Sequence, residues 1–472
     1  MLEKKCYRLS IQPSLTDDEA EPWQLINQIP GSKYLANRLL VMAALSEQPC
    51  ELNNLPENDD IRALFNALVS LGYALSWPKG ESVKSEGLSR RKLPGNNPES
   101  LPVKIDCGAS GTMARFISAV AALDDFPIKI SGSLRLQQRP MQPLFDALQT
   151  LGAKIQSHDQ PGCLPVTITG SIRQQSMPDN HNFQSEPASV CVQLPGDISS
   201  QYISALLLVG ARLNRQLQIQ LTPPIVSSVY IKMTLQILQQ AGVKVEYSDD
   251  MQKLAVFPSI ISQLSISLNA DPCSASYPLA AAAITGRSLE IKPFYYLPEQ
   301  QGEFQIIDLL RDMGCVIDMD QDSLRMLPHS GKLKAISRDM GDMPDIVQTV
   351  AVICSFAEGV SRFENIAHLK VKESDRIEDT AKELRKVGIE VNFGDDWLEV
   401  VGLPAGKQLQ TACIDSHDDH RMAMALSQLA WKNSAIEMMA PQVVAKSFPG
   451  FWQLMQLMGM SITECVKGAS IN

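Results

Sequence analysis

Six times along this chain of 472 residues, an amphipathic helical pattern closes on an apolar residue and a glycine, at Gly72, Gly152, Gly242, Gly314, Gly388 and Gly459, with a short apolar run after it. DIRALFNALVSLGYALSW shows the form: Ile61, Leu64, Phe65, Leu68 and Leu71 recur at helical spacing, Gly72 supplies a left-handed C-terminal position, and YALSW alternates as a strand. PMQPLFDALQTLGAKI, KMTLQILQQAGVKVEY, FQIIDLLRDMGCVIDM, DTAKELRKVGIEVNF and FWQLMQLMGMSIT repeat it. A chain patterned this way is confined to copies of one supersecondary unit.

Upstream of each glycine lies a second segment, beginning near Ser32, Ser110, Ser199, Cys273, Pro344 and Asp418, that is rich in Ala, Leu and Val almost all round. Such segments read as buried helices. Most place polar residues in the first turn, where a helix presents unpaired N–H groups and the positive end of its dipole. Helix ends of this kind are suited to gather around an anionic ligand. Each unit of about 70 to 90 residues thus runs helix, strand, helix, strand, too long a period for a solenoid repeat. The chain is also too long for one core, so two compact α/β domains of three units each are expected.

Composition narrows the function. Apolar content of 44% and charged content of 20% are ordinary for a globular protein, and a net charge of −10 argues against general nucleic-acid binding. A small anionic substrate stays compatible, since a local Arg and Lys cluster can oppose the sign of the whole surface. The ten cysteines show no Cys-x-x-Cys pair and no Cys/His ligand spacing, so reduced structural thiols are expected. MLEKKCYRLS lacks the apolar run of a signal peptide, and no apolar stretch approaches the roughly 20 residues that span a bilayer. A soluble, cytoplasmic protein is the expectation. The polar stretches 79–100 and 173–189 read as solvated insertions, and Arg90, Arg91 and Lys92 as an ordinary basic loop.

PGSKxxxNR at Pro30 to Arg38, GASGTMAR at Gly108 to Arg115, LQQRP at Leu136 to Pro140 and SSQY at Ser199 to Tyr202 stand at or near these helix starts. MPD at Met343 to Asp345, KVKESDR at Lys370 to Arg376, DDHRMA at Asp418 to Ala423 and AKSFPGF at Ala445 to Phe451 follow. Together and in this order they resemble the motifs of the 5-enolpyruvylshikimate-3-phosphate (EPSP) synthase family, from Pro30 to Phe451. The resemblance implies two domains, each of three βαβαββ repeats around buried helices, six repeats in all. It places one domain at residues 32–268 and the other at 1–31 with 269–472, with two crossovers as a hinge and ligand-driven closure.

The implied reaction moves the enolpyruvyl group of phosphoenolpyruvate to a hydroxyl of shikimate 3-phosphate through a tetrahedral ketal, releasing phosphate, in aromatic amino-acid biosynthesis. No metal, no organic cofactor, no nucleic acid and no membrane is implied, and a monomer is expected. By the resemblance, Lys33, Gly111, Arg139, Gln201, Arg376, Arg421 and Lys446 hold phosphoenolpyruvate, Gly111 by letting it approach the backbone. Lys33, Asp345 and Glu373 are implied in proton transfer. Lys33, Tyr34, Arg38, Ser199, Ser200, Gln201, Ser227, Tyr230, Asp345, His368 and Lys372 occupy positions that hold shikimate 3-phosphate. Plainer readings exist for each: a structural salt bridge for the cations, a helix cap for Asp345 and the serines, a helix-surface charge for Glu373. His417-Asp418-Asp419-His420 invites a metal reading but has no third distant ligand, and His420 is assigned to the family's His-Arg pair.

Four acceptor-side positions depart from the family. Tyr34 stands where it has serine, Ala109 where it has asparagine, and His368-Leu369 where it has an asparagine and an aromatic or other residue before Lys370. Two other readings therefore accompany the synthase: an enolpyruvyl transferase with a different hydroxylated acceptor, and a non-catalytic binding protein. The sister transferase that acts on a UDP-sugar is disfavoured because SLRLQQRP lacks that family's cysteine.

Overall fold

The structure, a computed structural model, describes residues 5–11, 22–80, 82–92, 102–170, 172, 188–432 and 436–465. The expected insertion at 173–189 falls outside the described residues over 173–187. The chain forms two compact units, Met1–Ser32 with Asn269–Asn472, and Lys33–Leu268. The first crossing thus lies between Ser32 and Lys33, one residue later than the family pattern places it.

In Lys33–Leu268 three four-stranded sheets share one order. The sheet of Val103–Asp106, Ile128–Ser131, Val166–Thr169 and Lys154–Ser157 is typical: its first two strands are parallel, and the other pairings are antiparallel. A parallel pair needs a crossover, and the helix Gly111–Ala121 provides it. Helix Ser200–Gly210 does the same between Ser189–Pro195 and Gln216–Thr222. The third sheet takes its outer parallel strand, Ser265–Ser267, from the far end of the unit, beside Cys50–Asn53. Helices Lys33–Leu45, Gly111–Ala121 and Ser200–Gly210 are buried along almost their whole length, as all-round apolar sequences must be.

The other unit repeats this order in three sheets. Its buried helices are Pro272–Thr285, Val347–Cys354 and His420–Leu426. The last two are tighter than the sequence suggests: Val347–Cys354 is entered through a 3-10 turn at Pro344–Ile346, and His420–Leu426 passes into one at Ser427–Trp431. In the sheet of Ala412–Asp415, Ile436–Met439, Cys6–Ile11 and Met460–Cys465, the first strand of the chain sits between two of its last.

All six repeat glycines have left-handed backbones, with φ of 85°, 112°, 76°, 103°, 88° and 98° in chain order. At Gly72 the amide donates to Val69 O at 2.9 Å and the next amide, of Tyr73, to Leu68 O at 3.1 Å. This is the Schellman closure, and Gly152, Gly242, Gly314 and Gly388 repeat both bonds.

The loop reading of 79–100 needs correction over 82–92, residues 81 and 93–100 lying outside the described residues. Val83–Ser85 is a strand that pairs with Cys50–Asn53, and the Arg91 guanidinium meets Asp124 in two bonds of 2.8 and 2.7 Å while stacking 3.9 Å from the Tyr73 ring centre. The basic run is therefore partly interior, because Asp124 supplies a counter-charge that sequence order does not show. Among the described residues no helix is long and apolar enough to cross a membrane.

Candidate active site

In the unit Lys33–Leu268, cations and hydroxyls collect at three helix starts. Ser110 caps Gly111–Ala121, its hydroxyl accepting from Met113 N at 3.4 Å. A Cβ on Gly111 would lie 2.6 Å from Arg139 Nη1 and 3.0 Å from Arg115 Nη1, so the absent side chain is what admits these guanidiniums. Arg115 is buried and donates to the carbonyls of Gly111 at 3.0 Å and Pro140 at 3.2 Å. Burial, and then the charge of Arg139, pull Arg115 down to about 10. Among the described residues Arg139 makes no ion pair. Two guanidiniums thus stand at a helix N-terminus without a carboxylate, an arrangement that favours an anion.

Gln201 ties a second helix start to this one, its Nε2 donating to Thr112 Oγ1 at 3.0 Å. Ser199 caps that helix by accepting from Gln201 N at 3.3 Å, as the plainer reading has it, and Ser200 is buried beside it. Ser227, in left-handed backbone with φ of 54°, opens the helix Ser228–Gln240 that carries Tyr230. At the first helix, Lys33 Nζ meets Asp60 at 3.3 Å. Tyr34 is buried against Tyr230, ring centres 5.0 Å apart, so the bulky side chain at this position is packed inward on another candidate residue. Arg38 is wholly buried and donates to Thr234 Oγ1, Ser204 Oγ and the carbonyls of Tyr34 and Tyr230 at 2.7 to 3.1 Å. Burial without an acid lowers it to about 10.

In the other unit the candidate residues converge on Arg376, the first residue of the helix Arg376–Lys386 and only 2% exposed. Its Nε and Nη2 reach Asp419 at 2.7 and 3.2 Å, Nη1 reaches Asp345 at 2.7 Å, and Nη2 reaches Glu373 at 3.2 Å. Asp345 also faces Arg421 Nη2 at 3.5 Å, and Glu373 accepts from Lys446 Nζ at 2.5 Å. Each of these carboxylates therefore lies between two cations. Glu373 is not on the helix surface: the helix begins at Arg376 with Asp375 as its cap, and Glu373 sits in the preceding turn, turned inward. Asp345 lies within the 3-10 turn and engages side-chain cations. His368 is half-buried, and burial, followed by the charge of Lys372, pushes its imidazole down to about 3.

Four residues escaped the sequence reading. Asp60 looks like any acid in a first helical turn, yet it pairs with Lys33. Asp419 lies in a recognised motif and anchors Arg376. Tyr277 lies in the second turn of the buried helix Pro272–Thr285, and its hydroxyl meets Arg421 Nη1 at 3.2 Å. Arg115 ends a motif and shares Gly111 with Arg139. The helix Pro272–Thr285 is capped by Asp271, which accepts from Cys273 N and Ser274 N at 3.3 and 3.1 Å. His417 is engaged by Glu383 at 2.8 Å and Asp379 at 3.3 Å, both on the Arg376–Lys386 helix.

Each of the two α/β units carries buried cations at helix starts, and one holds Asp345 and Glu373 between such cations, a chemistry suited to anionic ligands. A family profile described as EPSP synthase (3-phosphoshikimate 1-carboxyvinyltransferase) matches residues 24–455. A 3-phosphoshikimate 1-carboxyvinyltransferase of Syntrophobacter fumaroxidans is 33% identical over 426 residues, covering 90% of this chain and 95% of the relative. One from Vibrio campbellii is 35% identical over 430 residues, covering 90% and 94%. The solved structure of EPSP synthase from Acinetobacter baumannii shares the fold, with a TM-score of 0.75 at 23% identity, covering 98% of this chain and 100% of that one. The chain belongs to the EPSP synthase family, whose members are 1-carboxyvinyltransferases.

Proposed function

We propose that the protein transfers the enolpyruvyl group of phosphoenolpyruvate to the 5-hydroxyl of shikimate 3-phosphate, releasing phosphate, with the residues above dividing the work. The observation that carries this assignment is the pair of acids, Asp345 and Glu373, each held between Arg376 and a second cation. Such flanking fixes each carboxylate in place and leaves it beside groups that can exchange protons and charge with a bound substrate. Asp345 takes the proton of the acceptor hydroxyl as its oxygen adds to C2 of phosphoenolpyruvate. Glu373, with Lys33, governs the proton that reaches the methylene carbon, giving a ketal with a methyl group. A methyl proton then returns to the Glu373–Lys33 pair, and phosphate leaves with the electrons of its C–O bond and the proton held by Asp345, restoring the enol ether.

Charge assigns the remaining roles. Arg376, Arg421, Lys446, Arg139, Gln201 and Lys33 offer phosphoenolpyruvate cations and N–H donors, and Gly111 lets it approach the backbone. Ser199, Ser200, Gln201, Ser227, Tyr230, Lys372 and His368 hold shikimate 3-phosphate. Arg38 acts from behind, fixing the backbones of Tyr34 and Tyr230 through its bonds to their carbonyls. A cytoplasmic monomer without nucleic-acid partners belongs to the same reading, and the net charge of −10 supports its last part. The relatives reported give no support to a different acceptor.

The test follows phosphate release from phosphoenolpyruvate and shikimate 3-phosphate. Turnover that requires both substrates and is lost in Lys446→Ala is expected. Binding of neither substrate would overturn the assignment.

A further inference from the structure

The sheet that joins the first strand of the chain to its last carries a cluster that the reaction does not use. Its inner face buries Leu9, Ile414, Ile436 and Met438. On the opposite face the register sets Cys413 across from Glu437, Glu437 across from Arg8, and Cys6 directly across from Cys465. Cys6 and Arg8 are two residues apart on one strand, so they share that face. The Sγ atoms of Cys6 and Cys465 and a carboxylate oxygen of Glu437 all lie within 4.8 Å of one another.

We propose that Cys6, Cys465 and Glu437 form a binding site for a thiophilic divalent cation such as zinc, with Cys413, across from Glu437, as a further thiol in the same sheet. Zinc–thiolate bonds of about 2.3 Å put tetrahedral ligand atoms roughly 3.8 Å apart, so small side-chain rotations close the set around an ion. Two thiols and a carboxylate are the donor types zinc prefers over magnesium or calcium. Arg8 now neutralises Glu437 at 2.8 Å, but its side chain is 48% exposed and can turn to solvent or keep the second oxygen.

Binding converts two thiols and the free ion into a dithiolate complex and two released protons, with no change of oxidation state. Affinity therefore rises with pH. The ion would pin Cys6–Ile11 to Met460–Cys465, stabilising the sheet whose strands Ala412–Asp415 and Ile436–Met439 flank the helix bearing Arg421.

The test uses the full-length reduced chain and Cd²⁺ as a spectroscopic substitute for zinc, read by its ultraviolet thiolate charge-transfer band. The site predicts saturation at about one equivalent, release of protons, and an affinity loss of at least about tenfold in Cys6→Ser, Cys465→Ser and Glu437→Gln. Cys191→Ser, an exposed thiol outside the cluster, should leave the band unchanged, and Cys465→Ser should keep phosphate-release activity. Should Cys6→Ser not fold, Cys465→Ser and Glu437→Gln decide. No band at one equivalent, or a band of equal affinity in Cys465→Ser and Glu437→Gln, overturns the proposal.

Discussion

Arg376 and Asp419 form a two-point ion pair in the interior, Nε to Oδ2 at 2.7 Å and Nη2 to Oδ1 at 3.2 Å, with side chains 2% and 0% exposed. Asp419 is also the cap of His420–Leu426, accepting from Arg421 N at 2.8 Å. One carboxylate thus orients Arg376 and Arg421, two of the three arginines assigned to phosphoenolpyruvate. Removing one partner of a buried pair costs about 3 to 5 kcal/mol, so Asp419→Ala should lose about that much stability in urea unfolding. A loss below about 1 kcal/mol would mean that Asp345 and Glu373 suffice to hold Arg376.

Arg139 should behave in the opposite way. It makes no ion pair among the described residues, so Arg139→Ala should leave the unfolding midpoint nearly unchanged. Apparent affinity for phosphoenolpyruvate should fall roughly 10-fold to 100-fold, the size of a lost charge-assisted contact. Gly111→Ala, whose Cβ would meet Arg139 Nη1 at 2.6 Å, should weaken the same affinity less, since a flexible guanidinium can shift. Unaltered steady-state KM for phosphoenolpyruvate in both variants would show that this helix start does not bind it.

His417 should give stability a distinct pH dependence. The hydrogen bond to Glu383, then the charge of Asp379, raise its imidazole above the usual range. A raised folded-state pKa gives stabilisation that is complete below the unfolded value, about 6.5, and is lost as pH rises through the folded value. His417→Gln should therefore be most destabilising near about pH 6 and progressively less so toward about pH 9. His368, pushed down to about 3 by burial, adds an opposite slope below its usual value, common to both proteins and absent from their difference. A difference that is flat across that range would show that the charge on His417 contributes nothing.

The Arg91–Asp124 pair, with side chains 7% and 5% exposed, offers a test of interior charge away from the candidate site. Arg91→Ala should cost about 3 kcal/mol by leaving Asp124 buried and unpaired, whereas Arg91→Met combined with Asp124→Leu should recover most of that. Calorimetric unfolding of the two variants separates the outcomes, and a double variant no more stable than Arg91→Ala would count against a pairwise contact.

The helices and their ends were legible because their causes are local. Left-handed backbone at Gly72, Gly152, Gly242, Gly314, Gly388 and Gly459 follows from one residue type at the close of a periodic pattern. The cations and acids of the candidate site were legible as motif positions, though their partners were not. Asp60 is indistinguishable from Asp59 in sequence, Glu373 seemed to ride on a helix that begins three residues later, and Arg91 seemed to belong to a solvated loop.

What the sequence alone determined is the repeated unit, the buried helices and the chemical types at their starts, since these depend on periodicity and capping within a few residues. Tertiary structure alone decided which charges meet: Arg376 with Asp419 across 43 positions, Lys446 with Glu373 across 73, and Cys6 with Cys465 across the length of the chain. Those pairings depend on the packing of sheets and helices distant in sequence, and a buried charge or thiol acquires its partner only when that packing removes it from water.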